Sequence, residues 1–385
     1  MKRLFYIGLF SLIFFELANI YFIMPMPGSQ DMNSLDLAYF LYQYRWVFRI
    51  ICLILLFAGG YHAFRKGRRW IPTLLLLVAA YVIYKINFSM SADHMFLQPE
   101  KLLFESREKS MLPDSCLVLN IQNGDEAKAY PIRFLVYHHQ VRDTIGNKPV
   151  MITYCSVCRT GRVFEPLVDN QPENFRLVGM DHFNAMFEDQ TTKSWWRQVS
   201  GEAVAGPLKG KDLPEFRSHQ SSLGSFFEHY PDGRVMKLDE ASKSHYDSLA
   251  KFEYGRSESK LTGTDSLSWK DKSWVIGVET ETASKAYDWN LLKDRRIIHD
   301  QIDQVPALLV LSSDNQSFMA FQRPDANSRF QIRNDSIFQD SLIYNLLGIP
   351  ESPETPALKR LKAYQEFWHS WKTFHPHTKQ FIGDE

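Results

Sequence analysis

Three long apolar runs precede Met90, and they restrict the fold more than anything later in the chain. Leu4–Met24 is apolar apart from Glu16 and Asn19. Trp46–Phe64 carries Arg49 near one end, and Trp70–Phe88 carries Lys85 near its far end. Inside a bilayer no water satisfies backbone N–H and C=O groups, so an apolar run of about 20 residues is stable there as a helix. Three transmembrane helices are expected, the last two short and containing Gly59-Gly60 and Pro72.

Basic residues orient these spans. Lys2 and Arg3 precede the first run, and Arg65, Lys66, Arg68 and Arg69 crowd the loop between the second and third. The loop after the first run carries Asp31 and Asp36 with only Arg45. The positive-inside rule then puts the amino terminus and the Arg65–Arg69 loop in the cytoplasm. A multi-pass protein of the inner (cytoplasmic) membrane is expected, with everything after Phe88 in the periplasm or outside the cell. A cleaved signal peptide would give the same parity, but no small-residue cleavage site follows the first run.

The remainder has the composition of an ordinary soluble protein, and 385 residues leave room for more than one domain. Lys+Arg and Asp+Glu both number 44, so no charge bias suggests nucleic acid, and the bilayer is the partner expected. From Ser91 onward a tandem duplication shows in the order of landmarks. Ala127-Lys-Ala-Tyr130 recurs as Ser284-Lys-Ala-Tyr287, an offset of 157 between Lys128 and Lys285. At that offset, without gaps, Leu135 meets Leu292, Asp143 meets Asp300, Ile145 meets Ile302, Pro149 meets Pro306 and Phe164 meets Phe321. Each half closes with an aromatic amphipathic segment before a proline, read as helices over Leu223–Tyr230 and Tyr364–His375. The expected architecture is α+β: a membrane anchor over 1–90, a first β-rich repeat over 91–240 and a second over 241–385. At the common offset Cys155 falls on Ser312, Cys158 on Asn315, His138 on Arg295 and Arg159 on Gln316. The reactive side chains do not recur, so the second half reads as structural support or a partner surface.

Chemistry concentrates in Val150-Met-Ile-Thr-Tyr-Cys-Ser-Val-Cys-Arg-Thr-Gly-Arg-Val-Phe164. Period-two alternation predicts a strand, a tight turn over Cys155-x-x-Cys158, a bend at Thr160-Gly161 and a second strand. Cys52 lies in an apolar run, and Cys116 reads as a buried small hydrophobe. Haem attachment is excluded in its usual form, because Arg159 stands where that motif needs histidine. Strand flanks argue against a thioredoxin-like site, in which the first Cys opens a helix. A reversible dithiol would need positive charge nearby, for which Arg159, Arg162 and His138 are candidates. A metal knuckle would hold copper or zinc on Cys155 and Cys158, with further ligands from His138, His139, His182 or Met180. A structural disulfide is the plainest reading. Met180-Asp-His182 reads otherwise as a turn, and Trp195-Trp196 as core or interdomain packing.

At these residues the chain resembles a bacterial family, domain of unknown function 3179. The specific pieces are Ala127-Lys-Ala-Tyr-Pro131, His138, Asp143 and Lys148-Pro-Val-Met-Ile-Thr-Tyr-Cys-Ser-Val-Cys-Arg-Thr-Gly161. Lys193-Ser-Trp-Trp-Arg-Gln198, Gly201-Glu-Ala-Val-Ala-Gly206, Tyr230-Pro-Asp-Gly-Arg-Val235 and Phe367-Trp-His-Ser-Trp371 continue it. His139 and Arg142 depart from the Glu and Asn of the family pattern, as does Asp181-His-Phe-Asn184. Some members are described as selenoproteins, which implies selenium in place of a cysteine of this motif and leans toward redox chemistry. The expectation is a membrane-anchored extracytoplasmic thiol/disulfide redox protein acting on a thiol, disulfide or oxidant, with no cofactor required. Cys155 attacks, Cys158 resolves, His138 assists proton transfer and Arg159 favours the thiolate. The alternatives are a copper or zinc module on Cys155, Cys158 and His138, and a structural disulfide in a non-catalytic binding domain.

Overall fold

The computed structural model describes residues 1–65 and 68–383. Lys66 of the basic loop lies outside them. The apolar runs form helices Lys2–Tyr21, Arg45–Arg65 and Trp70–Ser89, each long and apolar enough to cross a membrane. The first two pack closely because glycines let their backbones meet. A Cβ on Gly59 would lie 2.2 Å from the Phe5 nitrogen, and one on Gly8 2.7 Å from the Cys52 oxygen. The polar residues of the runs find one another. Arg49 donates to both oxygens of the fully buried Glu16 at 2.7 and 2.9 Å. Asn87 donates to Glu16 at 2.9 Å and accepts from Arg49 at 2.7 Å. An unpaired carboxylate there would cost several kcal/mol, so the triangle is what makes these residues tolerable in an apolar bundle.

The chain divides into two compact units, Met1–Leu97 with Glu173–Asp212, and Gln98–Pro172 with Leu213–Glu385. In the first, strands Phe175–Asp181, Asn184–Asp189, Trp195–Arg197 and Ala203–Ala205 form an antiparallel sheet. Met180 N–H donates to the Ile23 carbonyl at 2.7 Å. Tyr39 and Tyr42, from helix Leu35–Gln43, pack their rings against buried Trp195 at 5.1 and 5.3 Å. The sequence boundaries at 90 and 240 do not separate Glu173–Asp212 from the first repeat.

The second unit contains two β-rich lobes with the same strand order. In one, the sheet runs Ser218–Ser222, Leu117–Asn123, Glu126–Pro131, Arg234–Met236, with Phe104–Glu105 added at the edge. In the other it runs Lys362–Phe367, Trp274–Glu279, Ser284–Asp288, Lys379–Phe381. The first two pairings are antiparallel and the last parallel in both. A helix follows the third-placed strand in each, Ile132–His138 and Trp289–Arg295. Each ends on a left-handed residue, His139 at φ 58° and Arg296 at φ 65°. The amide of that residue bonds back to Leu135 or Leu292 and closes the last turn. An antiparallel hairpin comes next, Gln140–Ile145 with Lys148–Cys155, or Ile297–Ile302 with Val305–Leu311.

The Lys-Ala-Tyr landmarks explain themselves in this frame. Lys128 and Tyr130 meet the Asp143 carboxylate at 3.0 and 2.6 Å, and Lys285 and Tyr287 meet Asp300 at 2.6 and 2.8 Å. Each trio ties the third-placed strand of the sheet to the following hairpin. Buried Val118, Ala129, Leu223 and Phe226 cluster in one lobe, as Val275, Ala286, Trp368 and Trp371 do in the other. Full burial of such an aromatic ring contributes about 2–3 kcal/mol.

One helix differs from expectation. The spacing predicts helix over Tyr364–His375, but the chain is extended through Phe367 and helical only over Trp368–Phe374. Residues 362–367 pair with all six residues of Trp274–Glu279, and an available ladder overrides a helical period.

Candidate functional site

The strand Lys148–Cys155 turns back into Thr160–Phe164, with Tyr154 opposite Gly161 and Cys155 opposite Thr160. Thr160-Gly161 belongs to the returning strand. The reversal occurs in Ser156–Arg159, where Arg159 takes the left-handed φ of 58°. This tight loop aims the Cys158 amide at the sulfur of Cys155, 3.4 Å away. Both cysteines are fully buried and stand as thiols. An N–H aimed at sulfur stabilises the thiolate over the thiol, and it does so for Cys155.

The loop is covered by residues far along the chain. Phe367 N–H donates to the Cys158 carbonyl at 2.9 Å. The Lys272 ammonium donates to the Val157 carbonyl at 3.0 Å, the Leu261 carbonyl at 2.7 Å and Nε2 of His369 at 3.1 Å. Its three N–H groups thus each have an acceptor. Burial lowers the Lys272 pKa, while the charges of Cys158, Cys155 and Asp271 pull it back up. Burial, reinforced by the Lys272 charge, drops the His369 pKa to about 4, so its ring is neutral near pH 7. Nε2 also lies 3.1 Å from the Val157 oxygen. A charged Lys272 makes it the acceptor, with the ring proton on Nδ1.

The residues singled out in the sequence go to different places. Arg159 is buried, donates to the carbonyls of Phe252 and Glu253 at 3.0 and 2.8 Å, and lies 3.7 Å over the Trp274 ring. Burial lowers its pKa to about 10. It clamps the helix Lys243–Glu253, and the Lys272 charge interacts with both sulfurs. Arg162 forms a buried ion pair with Glu366 at 2.6 Å beneath the Tyr364 ring. His138 is buried and meets the Tyr246 hydroxyl through Nε2. His139 occupies the helix end with its pKa lowered to about 4 by burial. His182, in the first unit, meets Asp181 at 2.6 Å and Asn33 at 3.1 Å. Trp195 and Trp196 are buried with their indole N–H groups on Glu188 and Asp189. Cys116 is buried against Glu253, which burial and that charge turn into a weakly acidic thiol. Among the described residues no three His, Cys, Asp or Glu side chains gather to hold a metal ion.

Lys272 and His369 escaped the sequence reading, which took the second half as structural support or a partner surface. His369 stands inside the Phe367-Trp-His-Ser-Trp371 motif, so its signal was present but undirected. Nothing near Lys272 marks it, because its meaning depends on a contact 115 positions back, at Val157.

The chain matches a family model described as "Protein of unknown function (DUF3179)" over residues 101–378. No curated protein and no solved structure matches it. With most of its length inside that model, from before the first lobe's sheet to the last helix, the chain belongs to the DUF3179 family.

Proposed function

We propose that this is a membrane-anchored dithiol–disulfide redox protein whose reacting pair is Cys155 and Cys158. The observation that carries the reading is the Lys272 ammonium held against a buried Cys-x-x-Cys loop. A fixed positive charge and the Cys158 N–H both favour the Cys155 thiolate, the attacking species in thiol–disulfide exchange. In the proposed step Cys155 attacks one sulfur of a substrate disulfide, forming a mixed disulfide and expelling a thiolate. Cys158 then displaces the second substrate sulfur, and the Cys155–Cys158 disulfide forms. Two electrons and the two thiol protons pass to the substrate, and an external dithiol restores the pair. Proton transfer at the loop falls to Lys272 and His369, while His138, bonded to Tyr246, positions the preceding helix. Because both sulfurs are buried, the exchange requires the cover of the loop to open toward the substrate while Lys272 stays against Val157.

The pair should titrate reversibly between dithiol and disulfide in glutathione buffers, read as a two-proton mass change, and Cys158→Ser should trap mixed disulfides through Cys155. A chain that never cycles but releases copper or zinc when either cysteine is replaced would instead be a metal module.

The basic loop and the acidic loop support an orientation with the second unit outside the cytoplasm. A reporter at the carboxyl end that works only in the cytoplasm would reverse it. The matched strand order, paired Lys-Tyr-Asp trios and constant offset of 157 support reading the lobes as tandem repeats.

A further inference from the structure

The first unit contains a cavity of about 550 Å³ where the three long helices end on the same side. Its apolar wall is Ile20 and Ile23 from the first helix's end, Trp46 from the start of the second, and Ile86 and Met90 from the end of the third. Asn87, one corner of the Glu16–Arg49–Asn87 triangle, lines it toward the bundle. Asn19 lies three residues beyond Glu16 and Arg45 four before Arg49 on antiparallel helices. Both therefore sit about one helical turn, roughly 5 Å, outside that triangle.

Asn19 lines the cavity, is 7 % exposed, and its Oδ1 has no hydrogen-bond partner. A buried carbonyl oxygen in that state calls for a donor. Arg45 donates to the Tyr42 carbonyl at 2.6 Å and brings a positive charge to the same level. Further out, Arg176 bridges Glu188 at 2.9 Å and Asp93 at 3.2 Å. Lys193 adds a second cation to the rim. The cavity is thus lined by a residue whose buried acceptor lacks a donor and would reach a ligand by rotation of the Asn19 side chain, by carboxylates and cations, and by an apolar wall that continues the spans.

We propose that this cavity binds the head group of an aminophospholipid from the surrounding bilayer. The head group's ammonium donates to Asn19 Oδ1 and faces Asp93, its phosphate meets Arg45 and Lys193, and its acyl chains follow Ile20 and Ile86. The charge pair of such a head group lies nearly parallel to the membrane plane, which matches Asn19 and Arg45 at one depth. A choline head group lacks the N–H, and a glycerol head group lacks the positive charge that the carboxylates favour. This inference rests on the reading that the three helices cross a membrane.

The full chain, purified in mild detergent, would be offered phosphatidylethanolamine, phosphatidylcholine and phosphatidylglycerol in equal amounts and weighed intact. Phosphatidylethanolamine should be retained about tenfold over phosphatidylcholine, as expected for one charge-assisted hydrogen bond. Asn19→Leu should erase that preference. Arg45→Gln, at the rim, should weaken retention of all three phospholipids and serves if Asn19→Leu does not fold. Equal retention of ethanolamine and choline lipids, or a preference untouched by Asn19→Leu, overturns the proposal. Displacement of the lipid by dissolved O-phosphoethanolamine at similar concentration overturns the lipid source. Release from membranes by alkaline carbonate would instead break the membrane-spanning reading.

Discussion

The two lobes share a frame but not a chemistry. Both hang a Lys-Tyr-Asp trio between sheet and hairpin, and both end the intervening helix on a left-handed residue. At the hairpin's far end they part. One lobe places Cys155 at the strand's end and Cys158 in the four-residue reversal that follows. The other holds its turn with Asp314, whose carboxylate accepts from the amides of Gln316 and Ser317 at 2.8 Å each. The frame tolerates either turn because its own bonds lie elsewhere. The thiol loop is also not self-sufficient. Its carbonyls at Val157 and Cys158 are satisfied by Lys272, which precedes the strand Trp274–Glu279, and by Phe367, which ends the paired strand Lys362–Phe367. The second lobe thus serves as the polar cover of the first lobe's thiols.

The sharpest way to break this contrast is to exchange the turns' side chains. Cys155→Ser should abolish formation of the internal disulfide altogether, measured by maleimide labelling across glutathione buffers. Ser312→Ala and Asn315→Ala, at the matching places, should leave the titration curve where it was. A shifted curve would mean that the second turn takes part.

Next in size is the division of labour between two cations. Lys272→Met removes the charge that acts on the sulfurs, and alkylation of Cys155 at pH 7 should slow about tenfold, one pKa unit's worth. Arg159→Met should leave the pH profile of alkylation in place. It should instead lower stability by about 3 kcal/mol, since the Phe252 and Glu253 carbonyls lose their donors. If Arg159→Met moves the profile and Lys272→Met does not, the assignment of the two cations is reversed.

Much of this frame is legible in the amino-acid sequence. Apolar length alone located the three helices, each long and apolar enough to cross a membrane. The hairpin around Cys155 followed from period-two alternation, which a sheet face imposes directly. What escaped were contacts across long separations. Tyr364–Phe367 reads as helical in isolation and is a strand only because Trp274–Gly277 lies beside it. Arg159 follows the second cysteine in sequence, yet its left-handed backbone turns the side chain to Trp274. Adjacency along the chain pointed to Arg159, and only the fold brings Lys272 to Val157.

Smaller effects test whether the shared trios are equivalent. Asp143→Ala leaves Lys128 and Tyr130 without their common acceptor, and Asp300→Ala does the same to Lys285 and Tyr287. Each substitution should cost about 2 kcal/mol, and the two costs should agree within about 1 kcal/mol by thermal unfolding of the full chain in detergent. A large loss in one lobe and none in the other would show that the matched geometry does not carry matched energy.

The smallest expected effect distinguishes the left-handed helix ends themselves, His139 in one lobe and Arg296 in the other. Burial lowers the His139 pKa to about 4, whereas an unfolded histidine titrates near 6.5. Between those values the unfolded chain binds the proton and the folded chain does not. Its contribution to stability is therefore fully present above about pH 6.5 and is lost as pH falls toward 4, with a slope of at most about 1.4 kcal/mol per pH unit. An arginine does not titrate in that window. His139→Gln should flatten the loss of thermal stability on acidification between pH 6.5 and 4.5, whereas Arg296→Gln should leave the slope unchanged. His219, at about 3, and His299 and His369, at about 4, share the sign of the effect, so part of the acid slope should persist in His139→Gln. An unchanged slope in that variant would mean that His139 is as readily protonated in the folded chain as in the unfolded one, and that the two helix ends differ in sequence alone.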